Sequence, residues 1–154
     1  MIKRLPVLCV LLLLAASCGG GGGGNSAPLI GSWLFNLSLL SDSCRAALGS
    51  TPSQSIMPTY LVNQDGSNIV ASNIQTGATF TGGTVDDGRG FIAARTDSDT
   101  VSCDGTNVLE IASSMSFDLS AGSDNQAEVG LALVAECGRT TICRSVYQGT
   151  ASKL

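Results

Sequence analysis

The chain of 154 residues contains no histidine. The commonest general base and the commonest transition-metal ligand are therefore missing. Ser-His-Asp and Cys-His nucleophile pairs are excluded on the same ground. Neither a G-x-S-x-G elbow nor a G-x-x-x-x-G-K phosphate loop occurs. Lysine is confined to Lys3 and Lys153, near the two ends. These absences point away from an enzyme, and no cofactor or metal is expected. Positive charge is also scarce, with 8 basic against 12 acidic residues. An acidic chain of this kind excludes nucleic acid as a partner and does not adsorb to anionic head groups by itself. Aromatic residues make up only 5%. Long apolar runs are missing too. The longest, Leu5 to Ala16, spans twelve residues. As a helix it rises about 18 Å, short of the ~30 Å hydrocarbon core.

That apolar run follows Met1-Ile2-Lys3-Arg4, a short positive segment, and ends in Leu14-Ala15-Ala16-Ser17-Cys18. This is the layout of an export signal. Small residues before a cysteine resemble the lipobox of bacterial lipoproteins, with Ala15 where that motif most often has Leu. The resemblance implies that residues 1–17 are a signal peptide, cleaved between Ser17 and Cys18. It also implies that Cys18 carries the acyl chains and anchors the protein to a lipid bilayer. Two or three chains at ~0.8 kcal/mol per buried CH₂ give stable anchoring. The rival is an ordinary secretory signal with a coincidental cysteine. Gly19 to Gly24 are six consecutive glycines, followed by Asn25-Ser26. Residues 18–28 thus read as a lipidated cysteine and a flexible tether, with an r.m.s. reach of about 16–19 Å for ten residues. By the same resemblance, Gly19 in place of Asp favours the outer membrane if the host is Gram-negative.

Export removes Lys3 and Arg4, which leaves 6 basic and 12 acidic residues. Residues 29–154 are long enough for one hydrophobic core. Four of the six cysteines fall there: Cys44, Cys103, Cys137 and Cys143. An even number in an oxidising compartment predicts two disulfides. Cys137 and Cys143 bracket five residues that resemble a hairpin loop, so the spacing favours Cys137–Cys143 and Cys44–Cys103. A four-thiolate zinc site usually needs two close pairs, and only one is present. No C-x-x-C suggests a redox-active pair.

Hydrophobic alternation predicts an all-β domain. Trp33, Phe35, Leu37 and Leu39 share one face of a first strand. A short helix is possible over Cys44–Leu48, ended by Gly49. Residues 59–64 and 67–72 flank Asp65-Gly66, a strong hairpin signal. Gly82-Gly83, Asp86 to Gly90, Asp104-Gly105 and Ala121 to Asn125 read as further turns, and Asp97 to Thr100 as a polar connection. Residues 107–111 and 114–120 read as separate segments. Residues 128–136 and 144–150 read as the last two strands. About eight short strands joined by turns predict a small antiparallel up-and-down barrel, with a β-sandwich as the alternative. Gly31-Ser32-Trp33 at the start of the first strand resembles the G-x-W that opens lipocalin-type and avidin-type barrels. That resemblance implies a carrier of a small apolar ligand. Inward Gly130, Ala132, Ala94 or Ala112 would leave room for one. Inward Trp33, Phe35, Phe91 and Phe117 would fill it.

The carboxylates fall into small groups: Asp86/Asp87, Asp97/Asp99 with Asp104, and Asp124. Asp97-Ser98-Asp99 begins like a calcium loop, but Val101 and the lack of a following Gly break the EF-hand pattern. Solvated turn acids are the ordinary reading. No spacing marks a glycosidase pair. Arg89, Arg95, Arg139 and Arg144 are scattered through turns and strands. The function expected is a non-enzymatic surface or periplasmic accessory domain, contacting a protein or a glycan, with the apolar-ligand carrier as alternative.

Overall fold

A computed structural model describes residues 28–49 and 51–154. The expected export signal over residues 1–17, Cys18 and the expected tether up to residue 27 lie outside the described residues. The strands are β1 (Gly31–Asp42), β2 (Ser55–Ile56), β3 (Thr59–Asp65), β4 (Asn68–Asn73), β5 (Thr79–Val85), β6 (Gly90–Ser102), β7 (Val108–Leu119), β8 (Gln126–Cys137) and β9 (Thr140–Lys153). Among the described residues the one α-helix, α1 (Cys44–Leu48), follows β1 and stops at Gly49 in the left-handed conformation, and a 3-10 turn covers Asp86–Gly88. Every pairing is antiparallel. Strands β3 to β9 pair with their sequence neighbours, and β1 joins β3 on one side and β9 on the other. The sheet therefore closes into an eight-stranded up-and-down barrel, with β2 a two-residue addition to the far end of β1. Closure leaves no exposed edge along the main strands.

The period-two pattern decides which side chains enter. Trp33, Phe35 and Leu37 of β1 are fully buried, as are Met115 and Phe117 of β7, with Leu119 buried at its basal end. Strand β8 turns Val129 and Leu131 inward. Gly130 and Ala132 consequently face out, paired with Ser116 and Ser114 on the same outer wall. Ala94 and Ala112 also lie on the outward register. The expectation that these four small residues line the interior is thus reversed: on β8 the large Val129 and Leu131 take the core, and on β6 the register set by inward Phe91 and Ala93 turns Ala94 outward.

Several predicted breaks are continuous strand. Gly82-Gly83 lies inside β5, not at a turn. A Cβ at Gly82 would overlap the Ile92 carbonyl oxygen of β6, so glycine serves close backbone approach there. The polar run Asp97–Thr100 continues β6, and residues 107–111 and 114–120 belong to the single strand β7. The five-residue loop before Cys143 shrinks to a two-residue turn, Gly138-Arg139.

That shorter turn corrects the disulfides. Cys137 stands opposite Thr140, while Cys143 stands opposite Ala135, further along the ladder. They do not face each other. The bonds are Cys44–Cys143 and Cys103–Cys137. The first ties α1 to β9. The second ties the β6–β7 turn to the β8–β9 turn. Both lie at one end of the barrel, here called the stapled end.

The opposite, basal end is where the described chain begins. Leu29 folds under the barrel and is fully buried. The Trp33 Nε1–H donates to its carbonyl at 2.9 Å. The Lys153 ammonium donates to the Pro28 carbonyl at 2.8 Å and lies 5.4 Å from the Trp33 ring centre. The first and last described strands are thereby latched together below the core.

Candidate functional site

The interior is the first place to look for a site, and aromatic side chains fill it. All seven aromatic residues of the sequence point inward and are buried: Trp33, Phe35, Tyr60, Phe80, Phe91, Phe117 and Tyr147. Phe91 stacks on Phe117 at 4.8 Å between ring centres, and Trp33 meets Phe117 edge-on at 4.8 Å. Phe35 touches Tyr60 at 4.9 Å, and Tyr60 meets Phe80 at 5.9 Å. This chain of rings runs from the basal end to the stapled end. An eight-stranded barrel is just wide enough to be filled by its own side chains.

At the basal end the Gln64 Oε1 of β3 is buried without a hydrogen-bond partner among the described residues, while the other polar groups cluster toward the stapled end. Thr59, Asn73, Ser113 and Ser145 are buried there. Arg95 and Asp97, two residues apart on β6, share the inward register with Phe91 and Ala93. Their side chains form a two-point ion pair. Asp97 raises the Arg95 guanidinium above its ordinary value. Burial raises the Tyr60 phenol, opposed by a hydrogen bond from Asn73 and by the Arg95 charge. The Asn73 Oδ1 in turn accepts from the Gln75 and Thr76 amides at 2.9 and 3.0 Å, closing the β4–β5 turn.

Asp42 sits at the same rim. The Ser145 hydroxyl donates to its Oδ1 at 2.6 Å. The Cys44 and Arg45 amides of α1 donate to its two oxygens at 2.9 and 3.2 Å. These donors, led by Ser145, hold its pKa below the ordinary aspartate value. The Ser145–Asp42 contact ties β9 to the end of β1 at the barrel rim.

The predicted acidic groups separate. Asp97 is engaged by Arg95. Asp104 accepts from the Thr106 and Asn107 amides at 2.9 and 2.7 Å and from the Asn107 side chain at 2.8 Å. These bonds lower its pKa and shape the β6–β7 turn. Both described members of the Asp97/Asp99/Asp104 group are therefore engaged in structural contacts. The tightest grouping of metal-donor atoms among the described residues is Cys103, Cys137 and Asp104, within 4.8 Å of one another. Its two sulfurs are bonded to each other, so they are not thiolate ligands. Asp86 and Asp87 hold left-handed backbone in the β5–β6 connection, with φ of 51° and 53°.

The arginines also separate. Arg89 bridges two basal connections, donating to the Ser120 and Ser123 carbonyls at 3.3 and 3.0 Å and lying 3.4 Å from Asp124. Arg95 is in the polar rim. Arg139 and Arg144 lie near the stapled end, on the outside. No shared anion site joins all four. Sequence reasoning missed the Arg95–Asp97 pair as an interior feature. Reading the period-two register of β6 onward from Phe91 would have placed both inside.

The outer wall carries shallow open grooves. One, of about 250 Å³, crosses β7 to β9 between Ile92 and Val146, over Ser114, Ser116, Gly130 and Ala132. Its floor includes Gly130 and Ala132, two of the four small residues expected inside. No protein-family model matches this chain, and no curated protein matches it either.

Proposed function

We propose that this chain is an exported lipoprotein, anchored to a bacterial membrane through acylated Cys18, whose barrel is a non-enzymatic accessory domain. The Ala16-Ser17-Cys18 junction and the glycine run after it support the anchor. The absence of Asp at position 19 points to the outer membrane in a Gram-negative host. The observation that carries the accessory reading is the filled interior. With all seven aromatic side chains inside, the barrel offers its loops and outer wall, rather than a cavity, for contact with a protein or a glycan. The domain then acts as a rigid, stapled display on a flexible tether.

The carrier of a small apolar ligand is the second reading. Gly31-Ser32-Trp33 stands at the base of the first strand of an up-and-down barrel, as in the lipocalin-type and calycin-type arrangement. Against it, an apolar ligand would need the space that Phe35, Phe91 and Phe117 occupy.

The anchor is tested by Cys18→Ser in cells fed a palmitate analogue. The parent is expected to take up label and sediment with membranes, and the variant to do neither. Continued labelling of the variant overturns the anchor. Native mass spectrometry of the purified protein addresses the domain. A bare protein mass is expected, and a co-purifying apolar adduct would move the reading to a carrier.

A further inference from the structure

The outer wall of β6 to β9 is laid out in rows across the ladder. Nearest the basal end, Asp118 stands opposite Glu128, and Glu128 opposite Thr150. The second row is Ile92, Ser116, Gly130 and Gln148, and the third is Ala94, Ser114, Ala132 and Val146. The fourth is Ala112, Val134 and Arg144. Two features of this wall are unfavourable in a single copy. Ile92 is 56% exposed and Leu40, on the far side near Val146, is 65% exposed, with the Gly, Ala and Ser floor between them. Asp118 and Glu128 are like charges directly opposite each other, which destabilises a sheet. Burial, the Asp86 carboxylate and then the Glu128 charge push the Asp118 carboxyl up. Among the described residues neither acid forms an ion pair within 4.0 Å, and neither does Arg144 at the other end of the same wall.

We propose that this wall is the interface of a two-fold dimer, in which a second copy of the chain lies face to face with its strands reversed. A two-fold axis across the strands, between the second and third rows, exchanges those two rows and exchanges the first with the fourth. The patch then meets itself, as a closed two-fold contact requires. Ile92 lies over the partner's Ala94, and Gly130 over the partner's Ala132. Arg144 lies over the partner's Thr150, one strand from the partner's Glu128. Strands are spaced about 4.8 Å apart, so the guanidinium reaches that carboxylate. The contact forms twice. Charge complementarity between the first and fourth rows selects the reversed direction, since stacking with strands aligned would set acid on acid. The small floor residues let the two sheets approach more closely than the usual ~10 Å. From β6 to β1, and from Glu128 to Val134, the patch measures about 24 by 20 Å, or roughly 500 Å² a side. A standard interface buries about 800 Å² a side, so this dimer is weak and reversible. The proposal goes beyond the accessory reading and does not depend on the Cys18 anchor.

Full-length protein in mild detergent is followed by native mass spectrometry and sedimentation velocity as its concentration rises through about 10–100 µM, the range of a contact this small. A reversible dimer is expected. Arg144→Glu sets acid over acid at both ends of the interface and is expected to weaken the dimer at least about tenfold. Arg139→Glu makes the same change of charge at the β8–β9 turn, off this wall, and is expected to leave the dimer unchanged. Adding Glu128→Arg to Arg144→Glu is expected to restore the dimer, which also shows that the variant chains fold. A monomer throughout the range overturns the proposal. So does a dimer that Arg144→Glu leaves intact, or one that the double variant fails to recover.

Discussion

At the scale of single residues, the acids of this chain act in opposite directions on stability. Asp42 and Asp104 accept several hydrogen bonds, which lower their pKa in the folded protein. Their contribution is present above the unfolded carboxylate value and is lost as pH falls through the folded one. Asp118 behaves oppositely. Burial raises its pKa first, and the neighbouring Asp86 and Glu128 charges raise it further. A raised carboxylate holds protons longer in the folded state than in the unfolded one. Its ionisation at neutral pH therefore works against the fold, and protonation in acid relieves it. Asp118→Asn is expected to raise the melting temperature at pH 7 and to leave it nearly unchanged at pH 3. Thermal unfolding at the two pH values checks this, and equal shifts at both would rule out the electrostatic cause.

At the scale of elements, the two staples differ in what they constrain. Cys44–Cys143 closes 99 residues and fastens α1 and the start of β9 to the rim. Cys103–Cys137 closes 34 residues and joins two neighbouring turns. In the chain-entropy account the first stabilises by about 4.7 kcal/mol and the second by about 3.8 kcal/mol. Cys143 is also buried, so its removal leaves packing defects that removal of the second bond does not. The Cys44→Ala/Cys143→Ala variant is expected to lose more stability in urea than Cys103→Ala/Cys137→Ala. Peptide mapping without reductant should recover the 44–143 and 103–137 pairs, and recovery of 137–143 would contradict the register of the last hairpin.

At the scale of the whole molecule, stability rests on one continuous interior that the aromatic rings span. Trp33 is its basal stopper, packed on Phe117 and bonded to Leu29. Truncation by Trp33→Ala is expected to cost about 3–5 kcal/mol in denaturant unfolding. It should also open an apolar void at the basal end. A hydrophobic dye that ignores the parent protein is then expected to bind the variant. Dye binding by the parent at similar strength would show that the interior already holds accessible space. The same continuity explains the small residues on the outer wall. Each Val or Leu that β8 directs inward obliges Gly130 and Ala132 to face out, where they leave a smooth trough instead of a pocket.

Local chemistry was readable from the sequence alone. Period-two alternation in β1 and β7, the Asp65-Gly66 hairpin and the Gly49 stop of α1 depend on neighbours within a few positions. So do the all-β class and the number of strands. Which cysteines meet, and which face of β8 is inside, depended on contacts distant in sequence. A turn two residues long instead of five moved Cys143 along the ladder. Closure of β1 onto β9 brought Cys44 beside it. The glycines of β5 show the same division. Their composition signals a break, yet the approach of the β6 backbone makes Gly82 a requirement of an unbroken strand. Residue types fixed the periodicity and the available bonds, while the closing of the sheet chose among partners, because only closure sets the distance between segments far apart in the chain.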